Sequence, residues 1–216
     1  MVLPSDKLDN QLIELARSRI RNVPNTPEYE KMISGMVYNS FVEPLESARF
    51  RSTSRCTKLH TMDMDSYHDL TEYKEARLVL TKSILGSCTD NVLIETPFCC
   101  DYGFNILAGD NLYINANVVL LDTSLIIIGN NCKIGPNVTI TTADHPLDYR
   151  SRAADIDFSR RVIIGDNCWI GANATILPGV VLGDNVVVGA GAVVTKDIKS
   201  HSLVVGIPAK IVKTLE

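Results

Sequence analysis

No run of about eighteen apolar residues occurs anywhere in the chain, so no segment reads as a membrane-spanning helix. No cluster of Lys and Arg is present either. With a formal net charge of −4, the 216 residues offer no electrostatic footprint for nucleic acid or an anionic membrane surface. No CxxC pair exists. Cys99 and Cys100 are adjacent, and Cys56, Cys88, Cys132 and Cys168 are scattered, which argues against a zinc site or a disulfide frame. The opening stretch "MVLPSDKLDNQLIELARSRI" carries acids and no compact apolar core, so it does not read as a secretory signal. The cysteines are therefore expected as thiols in a reducing, cytoplasmic setting. Cys132 and Cys168 lie inside a repeat and read as small apolar packing. Histidine occurs four times, as His60, His68, His145 and His201. A zinc-dependent hydratase would need about three converging imidazoles. Only His145 and His201 lie in or after the repeat, so that class is set aside and no metal is expected.

What is present is ordinary in amount: 45% hydrophobic and 21% charged residues suit a globular chain. The length allows one sizeable domain, or a large one with an appendage. Residues 1–27 end in "NVPNTP" and read as an extension, helical around 6–21. Residues 28–87 read as a mostly helical cap. Tyr29, Met32, Ile33, Met36 and Val37 have helical spacing, and so do Leu70, Tyr73, Arg77, Leu78, Ile84 and Leu85. Gly86 reads as a helix stop. Residues 42–60 are polar, with weaker periodicity.

The chain then changes character. "Ile128-GNNCK, Ile134-GPNVT, Ile140" sets a six-residue beat, which resumes in "Ile164-GDNCW, Ile170-GANAT, Ile176-LPGVV, Leu182-GDNVV, Val188-GAGAV, Val194-TKDIK". Upstream the beat is looser: "Ala108-GDNLY, Ile114-NANVV, Leu120", then eight residues to Ile128. An α-helix cannot keep every sixth residue on one face, because six residues turn about 600° at 3.6 per turn. Hexapeptide repeats point instead to a parallel β-helix, with an aliphatic residue of each unit facing the axis. Gly, Asn and Asp suit the corners. Such a solenoid has open ends, and the helical segment is a natural cap for one of them. The segment around "VVGIPAK" (204–210) either caps the other end or leaves it.

The beat stops at "TTADHPLDYRSR" (141–152) and returns only after about residue 163. Loops on a rigid scaffold are where catalytic groups usually sit. His145 lies in this one. An imidazole there is either a general base for a hydroxyl near pH 7 or an ordinary surface histidine.

The ordered set "EKMISGMVYN" (30–39), "FCCDYGFNI" (98–106), "ADHPLD" (143–148), "IGDNCWIGANATILPGV" (164–180), "VVGAGAVVTKDI" (187–198) and "VGIPAKIV" (205–212) resembles the maltose, galactoside and nodulation sugar O-acetyltransferases. The resemblance covers about residues 28–213 and implies a mainly β fold. It implies a left-handed parallel β-helix over 88–213, with a helical N-terminal cap and a protruding loop at about 141–163. It further implies acetyl-CoA as co-substrate, a sugar acceptor and a homotrimer with sites between subunits. His145 would be the general base. Asn115 would help hold the acceptor and the charge that develops in the transition state. Asp101, Tyr102 and Asp122 match acceptor-side positions, and Ser40 with Asn39 would reach the acceptor from the cap. On the donor side, Ala172, Ala190 and Thr195 match positions along the pantetheine arm. Lys196, Lys210 and Lys213 would meet CoA phosphates as point charges. Trp169, in an outward slot, would pack an interface or wall the thiol tunnel. Two departures stand out. Residues 1–27 and a stretch near 51–68 are longer than the family's usual helical region. Thr123 stands where the galactoside enzymes carry a second acid, which argues against galactoside specificity and leaves a maltose- or glucose-like acceptor, or another one. Transfer to an amine or to serine, and a non-catalytic binding or assembly protein, are the competing readings.

Overall fold

The computed structural model describes residues 3–21, 23–153 and 156–216. Its frame is a parallel β-helix with three faces of seven, five and four strands. The seven-stranded face stacks Val92–Ile94, Leu112–Ile114, Lys133–Ile134, Trp169–Ile170, Val187–Val188 and Ser202–Val205 in parallel. Lys210–Thr214 closes that face antiparallel to Ser202–Val205. The closing strand covers an edge that would otherwise present unpaired backbone groups.

The six-residue beat sets the stack. Ile114 aligns with Ile134, and Ile170 aligns with Ile134 and Val188. All four point into the coil and are fully buried. Leu120, Ile140, Ile176 and Val194 form the matching inner column of the five-stranded face, and Ile128, Ile164 and Leu182 that of the four-stranded face. Cys132 and Cys168 are buried in the same core, and all six cysteines are free thiols.

Corners use the left-handed backbone region. Asn111, Asn131, Asn167 and Asn185 take φ between 54° and 57° at the edge joining the four- and seven-stranded faces. His201, at φ 59°, occupies the next place in that column, so its role is to turn the chain. Asn117, Asn137 and Asn173 do the same at the edge joining the seven- and five-stranded faces. Asn tolerates this region because its short polar side chain bonds locally, whereas a plain Cβ costs roughly 1–2 kcal/mol there.

The helical part comprises α1 (Asn10–Arg19), α2 (Pro27–Ile33), α3 (Glu43–His60), α4 (Leu70–Ile84) and the short α5 (Tyr149–Ala153) in the loop. One expectation is corrected here and two are sharpened. The stripe over 28–39 breaks at Ile33, because Gly35 at φ +77° ends the helix and leaves Met36 and Val37 outside it. Residues 42–60, weakly periodic in sequence, form the longest helix. Its buried face is Leu45, Ala48, Ser52, Cys56 and Leu59, so small residues mute the apolar signal. Gly86 lies beyond the end of α4, but its requirement is space: a Cβ there would meet the Phe104 carbonyl oxygen at 1.8 Å.

Leu59, Ile84 and Leu85 pack on the first coil and share the β-helix core, which closes that end. Leu12, Ala16 and Ile20 of the extension join a second cluster with Tyr29, Met32 and Leu125. Leu125 belongs to the eight-residue step after Leu120, so the insertion supplies the surface on which the helices dock.

The corner chemistry gives an ordering. Asn137→Ala should lower stability by about 1 kcal/mol, and Asn137→Gly by less, read as urea midpoints at constant m-value. Equal loss in both variants would show that the φ of 58° is not what Asn137 contributes.

Candidate active site

Residues 142–161 leave the edge between the five- and four-stranded faces, and the loop folds back on its own stem. Ala143–Asp144 pairs antiparallel with Phe158–Ser159. Two buried hydroxyls tie this edge to the cap: Ser159 Oγ of the stem donates to the Met32 carbonyl at 2.6 Å, and Ser124 Oγ, on the coil below, to that of Ile33 at 3.1 Å. Tyr38 bridges to Asp157 on the next stretch of backbone. α2 and the loop root therefore form one rigid unit.

A cavity of about 140 Å³ opens on this unit, lined by Tyr38, Ser40, Arg49, Asp101, Tyr102, Thr123, Asp144, His145 and Asp157 among others. His145 Nδ1 lies 2.9 Å from Asp157 Oδ1, with the imidazole 58% exposed. The His145 N–H donates to Asp144 Oδ1 at 2.9 Å. Asp144 Oδ2 in turn accepts from Arg160 Nε at 3.1 Å and Nη2 at 2.7 Å. The loop histidine is thus fixed at its backbone by a charge-assisted clamp and at its ring by a carboxylate. Burial raises the Asp101 pKa above its ordinary value, countered by the nearby Arg49 guanidinium. Burial likewise pushes the Tyr102 phenol up to about 12, so it stays protonated and can donate.

His145, Asp101, Tyr102 and Ser40 of the expected set meet in this cavity. Asn39 lies beside it; its backbone N–H donates to Glu28 Oε2 at 2.6 Å. Asp122 is a correction. It is fully buried, and its carboxylate accepts the Tyr102 N–H at 2.9 Å and the Asn105 N–H at 3.2 Å. It holds the turn that presents Asp101 and Tyr102, and it has no face toward a sugar. Burial raises its pKa well above the ordinary carboxylate value, and the two N–H bonds oppose that rise. Asn105 extends the network: its Nδ2 donates to the Asp122 carbonyl at 2.7 Å, and its Oδ1 accepts from the Tyr29 hydroxyl at 3.0 Å. Sequence reasoning missed Arg49, Asp157, Asn105 and Tyr29. The "HPLD" signal pointed to the loop but not to the partner twelve residues on.

The remaining expected residues lie elsewhere. Asn115 sits at the edge between the seven- and five-stranded faces, with Oδ1 accepting the Ala116 N–H at 2.7 Å. Ala172 and Ala190 sit above it on the same edge, where the Gly191 N–H donates to the Ala172 carbonyl at 2.8 Å. Thr195 and Lys196 follow Val193–Val194 and so share the edge of His145. Trp169 projects from the seven-stranded face between Lys133 and Val187, 56% exposed. Lys210 and Lys213 lie on the exposed closing strand. One chain therefore splits the expected set between two edges and the seven-stranded face. Among the described residues, no three His, Cys, Asp or Glu side chains form a metal-binding group.

Residues 126–142 and 161–196 match the hexapeptide repeat of succinyl-transferase, and residues 31–89 match the maltose acetyltransferase hexapeptide capping motif. The sophorolipid acetyltransferase of Starmerella bombicola is 35% identical over 97% of this chain and 82% of its own. Nodulation protein L of Rhizobium meliloti is 40% identical over 84% of this chain and 96% of its own. This chain belongs to the hexapeptide-repeat acetyltransferases. The maltose O-acetyltransferase of Clostridium difficile superposes with a TM-score of 0.83 at 38% identity, covering 88% of this chain and 98% of that one. A galactoside acetyltransferase solved with coenzyme A superposes at 0.80 with 32% identity, covering 89% and 92%. A hexapeptide-repeat acetyltransferase of Vibrio cholerae, solved with acetyl-coenzyme A, superposes at 0.80 with 33% identity, covering 88% and 100%. As an acetyltransferase of this family the chain uses acetyl-CoA. Ala172 and Ala190 place only small side chains on the Asn115 edge, and Lys196, Lys210 and Lys213 are exposed cations, an arrangement compatible with that donor. No helix among the described residues is long and apolar enough to cross a membrane.

Asp122→Ala should leave two buried N–H donors without an acceptor, at about 1–3 kcal/mol each. The expected result is a lowered urea midpoint, with activity on the residual folded protein reduced through the displaced Asp101–Tyr102 turn. Unchanged stability would mean that water replaces the carboxylate.

Proposed function

We propose that this acetyltransferase moves the acetyl group of acetyl-CoA directly to a hydroxyl of a sugar, with His145 as general base. The observation that carries this reading is the His145 Nδ1–Asp157 Oδ1 pair at 2.9 Å within the cavity. A carboxylate holding Nδ1–H fixes the tautomer and leaves Nε2 as the basic nitrogen. His145 takes the proton as the hydroxyl oxygen attacks the thioester carbonyl, and coenzyme A leaves as the thiol. No nucleophilic Ser or Cys is required.

The cavity suits a polyol. Asp101 accepts and Arg49 donates, so neighbouring hydroxyls can be gripped from both sides. Ser40 and Tyr102 add short polar contacts. The similarity to a maltose O-acetyltransferase, and Thr123 in place of an acid, favour a maltose- or glucose-like acceptor over a galactoside. The division of residues supports a shared site. Asn115, Ala172 and Ala190 on one edge can meet His145, Thr195 and Lys196 only if a neighbouring copy brings the other edge. A cyclic homotrimer closes such heterologous contacts. Asn115 of one copy would then stabilise the developing oxyanion opposite His145 of the next. We place the reaction in the cytoplasm, on the reducing setting that six free thiols suit.

Thiol release from acetyl-CoA with glucose or maltose tests the chemistry. His145→Ala should lose roughly 10²–10⁴-fold in turnover while acetyl-CoA binding by calorimetry persists. Asp157→Asn should lower kcat with KM for acetyl-CoA unchanged. A folded His145→Ala protein with full turnover would reject the assignment. Sedimentation should report a trimer, and an active monomer would reject the shared site.

A further inference from the structure

A second cavity, of about 240 Å³, lies directly beside the sugar pocket and is lined by Leu3, Pro4, Val37, Pro146, Leu147 and Ile156 among others. It differs in chemistry. Leu3 is 71% exposed, Leu147 72% and Val37 43%, so apolar surface faces open space here. At three separate points the two cavities divide consecutive residues between them. Val37 lines the apolar groove and Tyr38 the sugar pocket; Pro146 the groove and His145 the pocket; Ile156 the groove and Asp157 the pocket. The partition between them is thus one residue thick.

The far wall of the groove comes from the extension, which lies outside the matched capping motif at 31–89. Its place is fixed by polar bonds. The Ser5 N–H donates to the Gly35 carbonyl at 2.8 Å, the Asp9 N–H to Ser34 Oγ at 2.9 Å, and Arg161 Nη1 to Asp9 Oδ2 at 3.1 Å. The extension therefore brings Leu3 and Pro4 against the loop that carries His145.

We propose that this groove binds the apolar aglycone of the acceptor, so that the preferred substrate is a sugar bearing an alkyl or acyl chain rather than a free sugar. This rests on the sugar-acetylating reading above. The sugar sits against Asp101 and His145, and its chain crosses the rim at His145–Pro146 into the groove. The groove adjoins the sugar pocket across the His145–Pro146 rim and is mainly apolar where the pocket is polar, with Asp148 and Ser151 as its polar lining residues. A fully buried methylene is worth about fourfold in affinity, and a half-open groove about twofold.

The test is kcat/KM for methyl, butyl and hexyl β-glucoside with acetyl-CoA, below micelle formation, using the full chain. The expected rise from methyl to hexyl is about 30-fold over five methylenes at twofold each. Leu3→Asn and Leu147→Asn should each cut the hexyl-to-methyl ratio at least fivefold. Two substitutions on opposite walls guard against one misfolding. Turnover of methyl glucoside with no chain-length dependence would overturn the proposal. So would a dependence that both variants keep. If sedimentation shows that both substitutions weaken assembly while the ratio stays flat, the groove belongs to a neighbouring copy and the proposal falls. Absence of transfer to any glucoside would instead remove the sugar reading, and this inference with it.

Discussion

Everything in this molecule depends on the stacking of one coil on the next. A six-residue unit has no core of its own. It becomes stable only when its aliphatic residue meets its equivalent above and below, as Ile134 meets Ile114 and Ile170. That requirement fixes the register, and the register fixes the corners. Each corner must reverse the chain in very few residues, which draws Asn into φ near +57° at the same place in successive coils. Backbone bonds then run up the edges, as from the Asn137 N–H to the Ala116 carbonyl at 3.1 Å and from Asn173 to Pro136 at 2.9 Å. The edges are consequently straight, rigid lines, and side chains on one edge are held at nearly fixed spacing.

A scaffold this regular can carry chemistry only where it is interrupted. Two interruptions fall on the same edge, and they cooperate. The small one, after Leu120, supplies Asp122, Ser124 and Leu125, which fasten the cap to the β-helix. The large one supplies His145 and returns through Asp157. On the coil below the small interruption lie Asp101 and Tyr102, held by the buried Asp122 carboxylate. A charge buried without compensation would be costly, but here two N–H groups face it. That arrangement places an acid and a phenol at a polar cavity without leaving either on a mobile loop.

Much of this was legible in the sequence, and the failures have two causes. The repeat is a periodic signal, and a break in a period is equally visible; both the β-helix and the loop around His145 followed from it. Signals that depend on small residues faded. α3 buries Ala48, Ser52 and Cys56, which scarcely register as an apolar face. Signals that depend on tertiary partners were absent. Nothing local distinguishes Asp122, which supports the backbone, from Asp101, which lines the cavity. Nothing in "HPLD" tells that Asp157 would meet His145, because the hairpin between Ala143–Asp144 and Phe158–Ser159 is what sets their separation. Resemblance assigned Asp122 to the acceptor through its position; burial assigns it to the support of that position.

The straight edges also bear on the proposal of a shared site. Asn115, Ala172 and Ala190 lie on one edge, and His145, Thr195 and Lys196 on another. A β-helix cannot bend to bring two of its edges together, since that would break the inner columns of Ile, Leu and Val. In the shared site proposed above, no small adjustment within one chain would join the two edges, so the second edge would come from a neighbouring copy and assembly would be a condition of catalysis. The loop reaches outward for the same reason that it departs from the repeat: a residue that obeyed the repeat would remain on its own edge. The cap and extension hold the returning stem of that loop from behind, through Ser159, the Tyr38–Asp157 bridge and the Asp9–Arg161 pair.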